Sequence, residues 1–334
     1  MTPEPPPGPQ IPSPSDPGLL VPASVADASG PGELPPDDKP ADAPGPAGRA
    51  GRNLPAAIAV GVTLALAVVV PLFTVKAVFV AVVAAAVGLG VRELVAALRR
   101  GGVEPATSPL LVGGTIMLLL AYVDGAAGLV LGLLVTVVAC GAWSTLAPPS
   151  RRPPSAPASS DVSPGGRPAV VGLGVNALIA TYGPFCAGFA VLLAAPEDGA
   201  LRVVVFIATV ACSDIGGYAA GVLAGKHPMA PSVSPKKSWE GFGGSATACA
   251  LAGSLLLPLL FGSPIWHGLL FGLSVVAMAT LGDLGESMIK RDLGIKDMGS
   301  ILPGHGGIMD RLDSLLPTAP VAWILLTASA PPGA

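Results

Sequence analysis

The densest polar stretch of this chain covers residues 282–314, GDLGESMIKRDLGIKDMGSILPGHGGIMDRLDS, with apolar sequence on both sides. Asp283, Glu286, Ser287 and Lys290 stand at offsets of 0, 3, 4 and 7. On a helix they share one face. Two carboxylates aimed the same way at a membrane–water boundary suit a hard divalent cation. Mg²⁺ is commonly held by one or two carboxylates together with substrate phosphate oxygens. Asp310 and Asp313 offer a second pair. For a single pair, a solvated helix end with i,i+4 ion pairs is the better explanation of the pattern. Four carboxylates around a glycine-rich turn favour a site.

That turn is Pro303-Gly304-His305-Gly306-Gly307. Its glycines permit positive φ and a close backbone approach to phosphate, and His305 can donate to a phosphate oxygen or a departing pyrophosphate. Lys290, Arg291, Lys296 and Arg311 flank it with charge that neutralises phosphate. A second polar island, AGKHPMAPSVSPKKSWEGFGGS, contains Lys236, Lys237, Ser238, Trp239 and Glu240. Its lysines serve either as anchors to anionic lipid or as ligands of a nucleotide polyphosphate. Asp214 interrupts the apolar run VVVFIATVACSDIGGYAAGVLAG. An intramembrane carboxylate is a functional candidate by default, facing a cavity, an ion or a partner. Glu93, beside Arg92 at the end of another apolar run, reads as a local pair or cap that can also reach a cavity.

The elements that position these residues follow from composition. The 334 residues are 51% hydrophobic and only 12% charged, with a mean hydropathy of +0.69. Soluble domains carry about 25% charged residues, so the chain is an integral membrane protein. Its four cysteines, Cys140, Cys186, Cys212 and Cys249, sit inside apolar runs without motif spacing and read as small core residues. Residues 1–53 are proline-rich and poor in aromatic and β-branched residues, which predicts a disordered tail. The acidic start lacks the basic region and apolar core of a signal peptide. Spans of about 20 apolar residues are expected at 54–73, 77–97, 108–123, 126–146, 169–195, 202–224, 242–262, 265–282 and 315–331. The fifth is interrupted at Tyr182-Gly183-Pro184, and the Pro- and Ser-rich residues 147–168 form a linker.

The fold expected is therefore all-α, a polytopic helical membrane protein of about nine transmembrane helices with a cytoplasm-facing polar site. Residues 54–200 would form an N-terminal helical region and residues 201–334 a C-terminal catalytic one. With the N-terminus inside, only Lys76 and Arg202 of the 18 lysines and arginines lie outside. Both polar islands then face the cytoplasm. Together the residues imply a metal-dependent phosphate site with one lipid and one soluble nucleotide substrate.

The run Ser287-Met-Ile-Lys290-Arg291, Lys296-Asp297 and Pro303-Gly-His305-Gly306-Gly307-Ile-Met-Asp310-Arg311-Leu-Asp313 resembles the signature of phosphatidate cytidylyltransferases. Ser213-Asp214-Ile-Gly-Gly-Tyr218 and Ser234-Pro235-Lys236-Lys237-Ser238-Trp239-Glu240-Gly241 resemble two further family stretches, with Ser238 where Thr is more usual. The resemblance covers residues 202–316; the earlier spans match in hydropathy only. It implies that CTP and phosphatidic acid give CDP-diacylglycerol and pyrophosphate. It further implies Asp283 and Asp310 as ligands of Mg²⁺, with room for a second metal ion, and Asp214 and Asp313 at the same centre. Lys236, Lys237, Ser238, Lys290, Arg291, Lys296 and Arg311 would hold phosphates, and His305, Gly306 and Gly307 would meet the polyphosphate. The expected partners are CTP, phosphatidic acid and the lipid bilayer, with a homodimer open and no nucleic acid. The expected location is the inner (plasma) membrane. A CTP-dependent polyprenol kinase is the nearest rival, and the full HGGxxDRxD run argues against it. An ion-coupled transporter would scatter polar residues through several spans, whereas here they cluster. A structural scaffold leaves the charged block unexplained.

Overall fold

The computed structural model describes residues 54–146, 169–301 and 306–329. The tail 1–53, the linker 147–168 and His305 lie outside the described residues. Helices dominate because apolar surroundings leave backbone N–H and C=O groups no partners but each other. Among the described residues, seven helices are long and apolar enough to cross a membrane, and Gly61–Thr74 is a shorter apolar helix. The chain is thus a polytopic helical membrane protein.

Helix α1 (Leu54–Thr74) meets α2 (Lys76–Arg100) at Val75, whose extended backbone turns the chain. Arg99 and Arg100 complement the negative end of the α2 dipole. The 40-residue α3 (Thr107–Leu146) is broken at Gly125, where φ is 66° and ψ −143°. Only glycine adopts that conformation without strain. Its two limbs fold back on each other: Gly113 packs against the Thr136 side chain and Gly132 against Met117. The expected spans 108–123 and 126–146 correspond to these limbs.

The next apolar helix, Val171–Ala194, is built from α4 (Ala169–Ala180), a π-helical turn (Thr181–Phe185) and α5 (Cys186–Ala194). Pro184 lies in the π turn. A proline there removes an N–H donor, and the widened turn accommodates it. On the end of the molecule away from the charged block, Lys76 donates to the carbonyls of Ala195 and Pro196. There too Arg202, 1% exposed, forks onto the Asp198 carboxylate at 2.8–2.9 Å.

The C-terminal half positions the polar islands. Helix α6 (Gly199–Ala224) packs on α7 (Trp239–Phe261), and α7 packs on α8 (Ile265–Asp292), through small residues that bring the backbones together. A Cβ on Gly216 would lie 2.6 Å from the Gly244 carbonyl, and Ser245 Oγ donates to Ser213 O at 2.6 Å. Between α6 and α7 the second polar island forms an antiparallel ribbon of β1 (Pro228–Ala230) and β2 (Ser234–Ser238). It is a small departure from the all-α expectation. Ser238 closes it by capping α7, accepting from Gly241 N at 3.1 Å. Glu240 Oε2 accepts from the backbone N–H groups of Lys226 and His227. After α8 come the short α9 (Met309–Leu312) and α10 (Leu315–Ser329).

Candidate active site

Helix α8 continues past its apolar part to Asp292, so Asp283, Glu286, Ser287 and Lys290 share the helix their spacing anticipated. Its neighbours bring the remaining groups to it. Gly282 lets the backbone of the next charged segment close in, because a Cβ there would lie 2.3 Å from the Asp313 carbonyl. The β ribbon delivers Lys237, whose ammonium forms an ion pair with Asp283. Arg291 Nε donates to Val233 O at 3.1 Å, fastening the ribbon's turn to the end of α8.

Two clefts result. One, of about 210 Å³, is lined by Ser213, Asp214, Lys236, Lys237, Ser238 and Asp283, among others. Asp214 is open to it, not sealed among side chains. The other, of about 650 Å³, is lined by Lys236, Ser287, Lys290, Arg291 and Lys296, with Ser234 at its rim. Lys236 belongs to both. A cleft of mixed charge and a basic one thus meet at one lysine.

Four carboxyl groups gather around Asp283 and Asp313. Asp214 lies within electrostatic reach of Asp283 and Asp313, and of the cationic Lys237 and Arg311. The Glu286 and Asp313 carboxyls face one another. Glu286 is 1% exposed, and its Oε1 has no hydrogen-bond partner among the described residues. Ser314 donates to Asp313 Oδ1 through its backbone N–H at 2.7 Å and its hydroxyl at 3.1 Å. The Tyr182 hydroxyl, carried by the π turn, makes a long 3.4 Å hydrogen bond to Asp313 O.

Asp310 is differently placed. Lys290 Nζ donates to its Oδ1 at 3.0 Å, Gly307 N to its Oδ2 at 2.8 Å, and Met298 N to both oxygens at 3.0 and 3.2 Å. Its carboxylate is fully engaged as the knot of the loop. Gly306, at φ 79°, makes the turn that places these donors.

Among the described residues, no three His, Cys, Asp or Glu side chains close into a metal cage. The quartet Asp214, Asp283, Glu286 and Asp313 has the donor chemistry of a hard-cation site without the spacing to hold one alone. It offers only oxygen, includes an orphaned buried acceptor, and crowds like charges that a divalent ion relieves. Mg²⁺ needs no complete protein cage when substrate phosphates finish its shell. Of the residues expected to ligate it, Asp283 pairs with the Lys237 ammonium, and Asp310 accepts from Lys290, Gly307 N and Met298 N.

Residues 55–329, nearly the whole described region, match the Cytidylyltransferase family. The chain belongs to that family. Among its relatives, the phosphatidate cytidylyltransferase of Mycobacterium bovis is 43% identical over 279 residues, covering 84% of this chain and 90% of the relative. The Mycobacterium leprae phosphatidate cytidylyltransferase is 44% identical over 289 residues, covering 84% and 89%. A Staphylococcus haemolyticus phosphatidate cytidylyltransferase is 41% identical over 145 residues, or 42% of this chain and 54% of that one. The family match extends through the first spans, beyond the region where motifs alone carried the resemblance.

Tyr182 was not among the expected residues, while Glu286 and Glu93 were read as candidates without a fixed place at the site. Glu286 was visible as a carboxylate on the α8 face, but nothing local marked it as buried. Tyr182 showed only as part of a helix break, although π turns recur at functional sites. Glu93 carried one usable signal, a carboxylate in an apolar span.

Proposed function

We propose that this cytidylyltransferase is a phosphatidate cytidylyltransferase, making CDP-diacylglycerol and pyrophosphate from CTP and phosphatidic acid at a membrane surface. The observation that carries this reading is the pair of clefts joined at Lys236, one holding two carboxylates and two lysines at the membrane helices and the other lined by cations beyond them. A triphosphate needs the basic cleft, and two phosphate-bearing substrates must meet where charge of both signs is arranged.

In this reading a phosphatidate oxygen attacks the α-phosphorus of CTP. The bond to the bridging oxygen breaks and pyrophosphate leaves in line. Lys290, Arg291 and Lys296 hold the β- and γ-phosphates, and Lys236 spans the two substrates. Ser238 and Lys237 orient the phosphatidate headgroup beside Asp283. Positioning and charge neutralisation do most of the work in such a transfer, since the protein forms no bond to phosphorus. Asp283, with Asp214 and Asp313, would hold Mg²⁺, which supplies charge neutralisation of the phosphates. Asp310 keeps Lys290 and the glycine turn in place, and Arg311 lends positive charge beside Asp214.

The fold-back of α3 at Gly125 supports counting its limbs as two spans, and with α1 this makes nine. Nine spans with the N-terminus inside put both polar islands on the cytoplasmic side, where CTP is available, and make the protein multi-pass in the plasma membrane. Purified protein given CTP, phosphatidic acid and Mg²⁺ is expected to release one pyrophosphate per CDP-diacylglycerol. Release of neither from well-folded protein would contradict the proposal.

A further inference from the structure

Glu93 lies on α2, far in sequence from both polar islands, and is 6% exposed. Its neighbour Arg92 points outward, and among the described residues Glu93 makes no ion pair. A buried carboxylate near a bilayer is costly unless its oxygens are used. One is used: Glu93 Oε2 accepts from Met309 N at 2.9 Å, across 216 residues of sequence. The other, Oε1, has no hydrogen-bond partner among the described residues.

The chain has cleared room for this carboxylate. A Cβ on Gly299 would lie 2.0 Å from Glu93 Oε1, and its three nearest atoms would all belong to Glu93. A Cβ on Gly307 would lie 2.5 Å from Oε2. The glycines therefore admit a protein carboxylate on this side of the loop. Asp310 grips the same two segments from the opposite side, taking Gly307 N and Met298 N, and passes the linkage on to Lys290.

We propose that Glu93 is a positioning residue for the cytidylyl transfer: from α2 it holds the 306–310 turn and the 298–299 loop so that Asp310 and Lys290 stay in register with the acidic quartet. The inference rests on the proposed reaction for its kinetic consequence, but its structural content stands apart. What matters is the acceptor oxygen, not the volume or the burial of the side chain. Glu93→Gln keeps an acceptor for Met309 N, and Glu93→Leu keeps the volume while removing it.

Both variants and the parent protein would be purified in detergent and compared by thermal melting, steady-state kinetics and hydrogen–deuterium exchange. Glu93→Leu is expected to melt at or above the parent temperature, since it removes a buried carboxylate. Its kcat should fall about 100-fold, as small misplacements of catalytic groups do, with KM for CTP and phosphatidate held within about threefold. Glu93→Gln should recover kcat to within about tenfold of the parent. Exchange at residues 298–312 should accelerate in Glu93→Leu and not in Glu93→Gln. A kcat loss that merely tracks a lowered melting temperature, or a Glu93→Leu variant with parental kcat, would overturn the proposal. Unchanged exchange at Met309 in Glu93→Leu would overturn it whatever reaction the protein performs. Parent protein that makes no CDP-diacylglycerol would instead overturn the reading of the reaction, and the exchange data would still decide the role of Glu93.

Discussion

Lys290 Nζ stands 3.0 Å from Asp310 Oδ1 and 2.9 Å from Glu286 Oε2, so one ammonium joins α8 to the segment that opens α10. Both carboxylates are nearly buried, at 1% and 7% side-chain exposure. Removing the lysine takes the counter-ion from Asp310 and a donor from the buried Glu286, and breaking a buried pair in this way typically costs about 3–5 kcal/mol. Lys290→Met is therefore expected to unfold at clearly lower SDS concentration than the parent protein, and to lose activity. Equal unfolding midpoints would show that the ammonium is replaceable.

The Lys237–Asp283 pair behaves differently because both side chains are partly open, at 24% and 36% exposure. Exposed pairs contribute little to stability. Asp283→Asn should leave the melting temperature nearly unchanged while lowering kcat by about 1,000-fold or more, in keeping with loss of a metal ligand. An active Asp283→Asn protein would remove Asp283 from the proposed centre.

Chelation offers an independent check on the quartet. EDTA should abolish turnover of the parent protein, and added Mg²⁺ should restore it. Full turnover in EDTA would mean that Asp214, Asp283, Glu286 and Asp313 serve some purpose other than holding a cation.

The packing of Gly282 is as consequential as any charge. A methyl group at this position would meet the Asp313 carbonyl at 2.3 Å. The Asp313 backbone and the rigid Pro317 ring, whose Cγ would lie 2.4 Å away, leave nothing flexible to yield, and overpacking of this kind typically costs about 1–3 kcal/mol. Gly282→Ala should lower both the melting temperature and kcat, by forcing α8 away from Asp313. Gly285→Ala, where a Cβ would meet nothing within 4 Å, should melt like the parent.

Much of this arrangement was legible in the sequence, and the reasons differ by residue. Hydropathy marked the helices, because a bilayer imposes nearly the same length on every span. Spacing placed Asp283, Glu286 and Lys290 on one helix, since i,i+4 neighbours are fixed by helical geometry. Asp214 stood out by its apolar surroundings. The ribbon Pro228–Ser238 was not legible: its short, proline- and serine-rich strands lack the alternation that betrays a sheet. Nor was the occupation of Asp310, because its donors Met298 and Gly307 are backbone groups and carry no side-chain signature. Glu93 and Tyr182 reach the site across more than a hundred residues. No local pattern encodes such contacts; only the packing of α2 and the π turn against the last helices creates them.

The reaction itself is tested most directly by supplying CTP labelled at either the α or the γ phosphorus to purified protein with Mg²⁺, phosphatidic acid and a polyprenol. In the proposed reaction α-label enters lipid as CDP-diacylglycerol while γ-label appears in pyrophosphate. Transfer of γ-label to the polyprenol, with α-label left in CDP, would contradict it.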